Sequence, residues 1–160
     1  MALAHNGILR GLNSIYLQAP YIPHKDAQDF LVYIQCWCES MHHHHEAEEH
    51  EFFPSIEAIS GVPGLMEQNV EQHRAFTPGF DRFQEYARTC RPQDYDGGKV
   101  KSLIDDFAEP LSRHLREEID TLRALDVYDS ARIRQAYQRF EKILMATDNV
   151  SSIPHVTSSK

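Results

Sequence analysis

Apolar residues recur at steps of three and four along most of this 160-residue chain, and no segment sustains two-residue alternation. That periodicity belongs to helices with one buried face, and it limits the fold to helices packed on helices. Breakers cut the pattern into five segments. The first runs from about Ala2 to Ala19, carrying Ile8, Leu9, Leu12, Ile15 and Tyr16, and stops before Pro20 and Pro23. The second, about Lys25 to Ile59, places Phe30, Ile34, Trp37, Met41, His44 and Glu48 on one side, with Pro54 expected to kink or interrupt it. Ser60 to Gly64 reads as a turn, and a third helix from about Leu65 to Cys90 contains Pro78-Gly79, which could bend or split it. After a loop from Arg91 to Gly98, a fourth helix from about Lys99 to Leu125 carries Leu103, Phe107, Leu111, His114, Leu115, Glu118 and Leu122, with a bend expected at Pro110. A shorter fifth helix covers about Ser130 to Met145. The expected fold is all-α: an up-down-up-down four-helix bundle over residues 1–150 with a short additional C-terminal helix, then a flexible tail over 151–160.

Two of these helices carry polar groups on their inward stripe. His44 and Glu48 are four apart, as are His114 and Glu118, so each pair projects from one helix face. Neutral imidazole nitrogen and carboxylate oxygen are ordinary ligands for iron, manganese or zinc. One such pair alone signals little, because most are surface pairs. Geometry strengthens the case. In an antiparallel bundle, residues at one height lie about equally far in sequence from the turn that joins their helices. The midpoints of His5 and His44, of Glu48 and His73, and of His73 and His114 fall in or beside the three turns read independently from Pro and Gly. His5, His44, Glu48, His73, His114 and Glu118 are therefore expected at one level of an apolar interior. A shared cation is required there, because buried carboxylates without one would take up protons or destabilise the fold.

The run His44-His45-Glu46-Ala47-Glu48-Glu49-His50-Glu51-Phe52-Phe53-Pro54 resembles the second-helix signature of the hemerythrin-like (HHE) family. His73 in Gln72-His73-Arg74-Ala75-Phe76 is similar to that family's third-helix histidine, His114 to Glu118 to its fourth-helix motif, and His5 to its first-helix ligand. The resemblance covers about residues 1–125. It implies two irons, with manganese as the alternative, joined by an oxo, hydroxo or water bridge, and dioxygen or peroxide as partners. The chain departs from the oxygen carriers, which use two histidines four apart on the third helix. Asn69 stands where the second would be, and the carboxylate at 118 is four rather than five residues from its histidine. One imidazole fewer implies an additional open position and oxidative chemistry. Alternatively Asn69, Gln72, Glu71 or His45 supplies the ligand, with His45 or Glu49 as supporting groups. Oxidase or peroxidase-like turnover of a small organic substrate, with electrons from it or from a donor, competes with a non-enzymatic role as oxygen, iron or redox sensor or store.

Of the ten histidines, His42, His43, His45 and His50 are read with Glu46, Glu49 and Glu51 as the wet side of the second helix, the minority reading being metal loading. Trp37, Met41, Tyr16, Tyr33 and Tyr137 are read as core. Cys36, Cys38 and Cys90 are too few and too scattered for a disulfide scaffold, which favours a reducing, cytoplasmic setting. A net charge of −8 argues against nucleic acid or an anionic membrane as partner, and the longest apolar run is too short to span a bilayer.

Overall fold

The computed structural model describes residues 1–147, and the tail assigned to 151–160 lies outside them. Seven α-helices follow in order: α1 Ala2–Gln18, α2 Ala27–Ala47, α3 Phe53–Ser60, α4 Glu67–Thr89, α5 Gly97–Asp105, α6 Ala108–Arg123 and α7 Ser130–Thr147. Helices α1, α2, α4 and the α5–α6 pair form the up-down-up-down bundle, and no strand occurs among the described residues. No helix among them is long and apolar enough to cross a membrane.

The helix ends follow the breakers, with two instructive differences. The second segment does not kink at Pro54 itself. A single wide turn, Glu48–Phe52, joins α2 to α3, and the Phe53 N–H reaches back five residues to the Glu48 carbonyl. In a regular helix the Pro54 ring would collide with the carbonyl of His50, and the wide turn moves that carbonyl away. The fourth segment breaks at Asp106 and Phe107 rather than bending at Pro110. Pro110 cannot bond the Asp106 carbonyl, so the chain restarts a helix in which Pro110 occupies the first turn, where no N–H is needed. By contrast α4 runs unbroken through Pro78. Gly79 beside it is closely approached, since a Cβ there would lie 2.8 Å from the Phe107 Cβ. Pro78-Gly79 is thus the seat of the α5–α6 break, not a break in α4.

Two apolar cores result. The larger packs Ile15, Ile34, Met41, Phe83, Phe107 and Leu111, with the Trp37 indole N–H donating to the Ile8 carbonyl at 3.1 Å. The smaller packs Phe52, Phe53, Ile56, Met66 and Phe140. The layer between them holds the candidate site. Helix α7, at 18 residues, is longer than the sequence pattern suggested and packs on α2, α3 and the wide turn. Its Phe140 stacks on Phe52 at 5.2 Å and meets the His44 ring at 5.6 Å, closing that end of the layer.

Candidate metal centre

The helices of the bundle contribute to the polar layer. His5 comes from α1, His44 from α2, Glu48 from the first position of the wide turn, His73 from α4, and His114 and Glu118 from α6. All six side chains are buried, with Glu48, His114 and Glu118 fully excluded from solvent. His44 Nε2 lies 2.9 Å from Glu48 Oε1, His5 Nε2 lies 3.0 Å from Glu118 Oε2, and His73 Nε2 lies 3.5 Å from Glu48 Oε2. The six residues that the spacing argument placed at one level do converge.

His45 joins them. Reading it as part of the wet side of the helix is corrected: it is 7 % exposed, with its ring 4.6 Å from that of His73 and 5.2 Å from that of His114. Ligand atoms of His45, Glu48, His73 and His114 all lie within 4.8 Å of one another, as do those of His5, His44 and Glu48. Glu48 belongs to both groups. Glu118 lies against His5 and, at 3.9 Å, His114, so it spans the same two groups.

The hydrogen-bond pattern fits bound cations. His5 Nδ1 donates to the Leu115 carbonyl at 2.8 Å, and His45 Nδ1 donates to the Met41 carbonyl at 2.9 Å. His73 Nδ1 donates to Glu49 Oε1 at 2.6 Å. His114 Nδ1 donates at 3.3 Å to Gln72 Oε1, whose amide nitrogen is turned toward Glu117. A neutral imidazole that donates from Nδ1 presents a bare lone pair at Nε2. Yet His73 Nε2 and His114 Nε2 are 3.0 Å apart, and the Nε2 atoms of His5 and His44 face carboxylate oxygens. Lone pair against lone pair is repulsive. The Nε2 atoms of His5, His44 and His45 and all four oxygens of Glu48 and Glu118 are buried without a hydrogen-bond partner. Five imidazoles and two carboxylates aimed at a common interior fit a pair of divalent cations.

Electrostatics agree. Burial pushes the His44 imidazole down to about 4 and that of His114 to about 2, with neighbouring imidazoles adding to the effect at His114. His45 and His73 are lowered by the same desolvation. These rings are therefore neutral near pH 7, the state that binds metal. Burial, reinforced by Glu118, raises the Glu48 carboxyl well above its ordinary range. Without a cation Glu48 holds a proton that a metal would displace.

The remaining candidates divide. Asn69 is buried one turn before His73, with both side-chain polar atoms unpartnered. Gln72 and Glu49 orient His114 and His73 through their Nδ1 atoms. Glu71 is corrected: it is exposed and pairs with Arg74 on the surface. His42 and His50 are exposed, as expected of the wet side, whereas His43 is half-buried with its Nε2 lacking a partner. His45 was the residue whose role spacing alone left open. Consecutive helical residues point about 100° apart, so a histidine beside a ligand reads as solvent-facing until the neighbouring helices are in place.

Comparison with known proteins gives the same picture. The chain is 36 % identical over 143 residues to the dimeric xanthone biosynthesis cluster protein R11 of Cryptosporiopsis sp. (strain 8999), covering 89 % of this chain and 55 % of that protein. It thus spans about half the length of the curated relative it matches. No solved structure matches it. Residues 1–125, which contain every donor in the layer, match the hemerythrin HHE cation binding domain, and the chain belongs to that family.

Proposed function

We propose that the chain holds two irons, with manganese as the alternative, and binds or activates dioxygen or peroxide as an oxidase or peroxidase-like enzyme on a small organic substrate. One ion would be held by His45, His73, His114 and Glu48, the other by His5, His44 and Glu48, with Glu118 as the second shared carboxylate. The observation that carries the reading is that the ion with only two imidazoles would adjoin a cavity large enough for a substrate. The donor-poor side adjoins a cavity of about 360 Å³ walled by His44, Ile8, Trp37 and Met41.

Two irons bound there supply one-electron redox steps and a coordination position for dioxygen or peroxide. The chain's own residues do the rest. Ile8, Trp37 and Met41 give the approach to His44 its apolar part, beside Glu39, Ser40 and His43. The imidazole of His43 lines the same cavity and can hydrogen-bond a hydroxyl group. A cavity of this size accepts a one- or two-ring molecule. The curated relative is named for a biosynthesis cluster of dimeric xanthones, and a xanthone is an aromatic ring system. That name supports an aromatic substrate here, and His43 favours one that bears a hydroxyl group, with electrons drawn from it or from a separate donor.

A second reading has its own support. With His45 counted, the imidazoles number five, as in the oxygen carriers that the second-helix motif resembles, and this favours reversible binding or sensing without turnover. Counting metals in the purified chain, recording its optical spectrum with dioxygen or peroxide, and measuring oxygen uptake with 1-naphthol separates the two. About two irons with naphthol-dependent uptake supports the enzyme. Two irons with a reversible spectral change and no uptake supports the carrier or sensor. No stoichiometric metal removes both.

A further inference from the structure

Two cavities reach the donor layer, and they differ in chemistry. The one on the His44 wall mixes Ile8, Trp37 and Met41 with Glu39, Ser40 and His43. The other, about 230 Å³, lies between α2 with its wide turn on one side and α4 on the other. Its rim carries His42, Glu46 and His50, all exposed and spaced four apart, so they form one line along the helix surface. Deeper in it lie Glu49, then His45 and His73 of the donor layer. The passage is therefore graded, from exposed imidazoles and carboxylate to buried ones.

The rim groups are set for a cation. His42 Nε2 meets Glu46 Oε1 at 3.1 Å. His50 Nδ1 donates to the Glu46 carbonyl at 2.9 Å, leaving its Nε2 lone pair outward. Glu49 follows, its Oε1 already on His73. At the inner end the His45 Nε2 is buried and unpartnered. A divalent cation must shed much of its water before it enters an apolar interior, and donors offered in sequence replace that water stepwise.

We infer that the His42, Glu46 and His50 rim is a loading port, capturing a divalent metal ion from solvent and passing it by Glu49 to His45 and His73. This rests on the metal-centre reading and adds a route to it. The port donors are not ligands of the finished site, so they govern the rate of loading and not the final content.

The test uses the full chain stripped of metal and mixed with cobalt(II), with loading followed by visible absorption. The triple variant His42→Ala, Glu46→Gln, His50→Ala should load about fivefold more slowly at low ionic strength, with ions per chain unchanged. The gap should shrink as salt is added. Gly7→Leu partly fills the opposite cavity, where a side chain meets nothing within 4 Å at its first carbon, and should load at the full rate. An unchanged rate in the triple variant overturns the port, as does slowing by Gly7→Leu. If the unaltered chain takes up no cobalt, the metal centre fails first and the port with it.

Discussion

Replacing His45 by leucine should move the stability of the metal-free and metal-loaded protein in opposite directions. In the metal-free chain the His45 Nε2 is a buried polar atom without a partner, and leaving such a group unsatisfied costs about 1–3 kcal/mol. Leucine of similar size removes that cost and loses the Nδ1 bond to the Met41 carbonyl, worth about 1 kcal/mol. The metal-free variant should therefore be unchanged or up to about 2 kcal/mol more stable. With metal the sign reverses. Changes to groups that merely orient a ligand cost about 10–100-fold in affinity, so loss of a ligand should cost at least about 100-fold, or about 2.7 kcal/mol. Urea unfolding in chelator and in excess iron(II), with a competition titration for affinity, measures both. Affinity within about threefold of the parent would refute His45 as a ligand. A metal-free variant more than about 2 kcal/mol less stable would refute the idea that its Nε2 is unsatisfied. Adding Asn69→His to the His45→Leu variant should restore part of the affinity, because that position lies one turn from His73.

Three further outcomes follow from the geometry. For pH, His44 and His114 are lowered by burial, so below about 6.5 the unfolded chain binds protons that the folded chain refuses, and metal-free stability falls toward pH 4, by about 3 kcal/mol for His44 alone. Glu48 is raised, so the folded chain keeps a proton that the unfolded chain sheds above about 4.5, and Glu48 takes away stability from there upward until it ionises, opposing the histidine gain. Bound metal should abolish the Glu48 contribution; a Glu48→Gln variant with the same metal-free pH profile as the parent by denaturant titration would contradict this. Glu49→Ala removes the acceptor on His73 Nδ1 and should weaken metal binding about 10–100-fold while leaving helical content by circular dichroism intact. Phe140→Ala opens the buried contact with Phe52 and His44 and should cost about 3–5 kcal/mol in thermal or urea unfolding. A loss below about 1 kcal/mol would show that α7 does not seal the layer.

Helical class, helix order and the depth of six donors were all written in the chain. Period-three-and-four stripes name the buried faces, Pro and Gly name the turns, and antiparallel packing converts distance from a turn into height. That is why His5, His44, Glu48, His73, His114 and Glu118 could be placed at one level before any coordinates. Height is one coordinate, and rotation about the helix axis is another. His44 and His45 differ by about 100° on their helix, and nothing in one strand of text says that both directions lead inward. The packing decided it: α1 and α7 cover the His44 side while α4 and α6 cover the His45 side, so a layer wide enough for two cations has walls in both directions. Sequence periodicity reports what a helix buries on average. Only the neighbouring helices determine how wide the buried sector is at a given level.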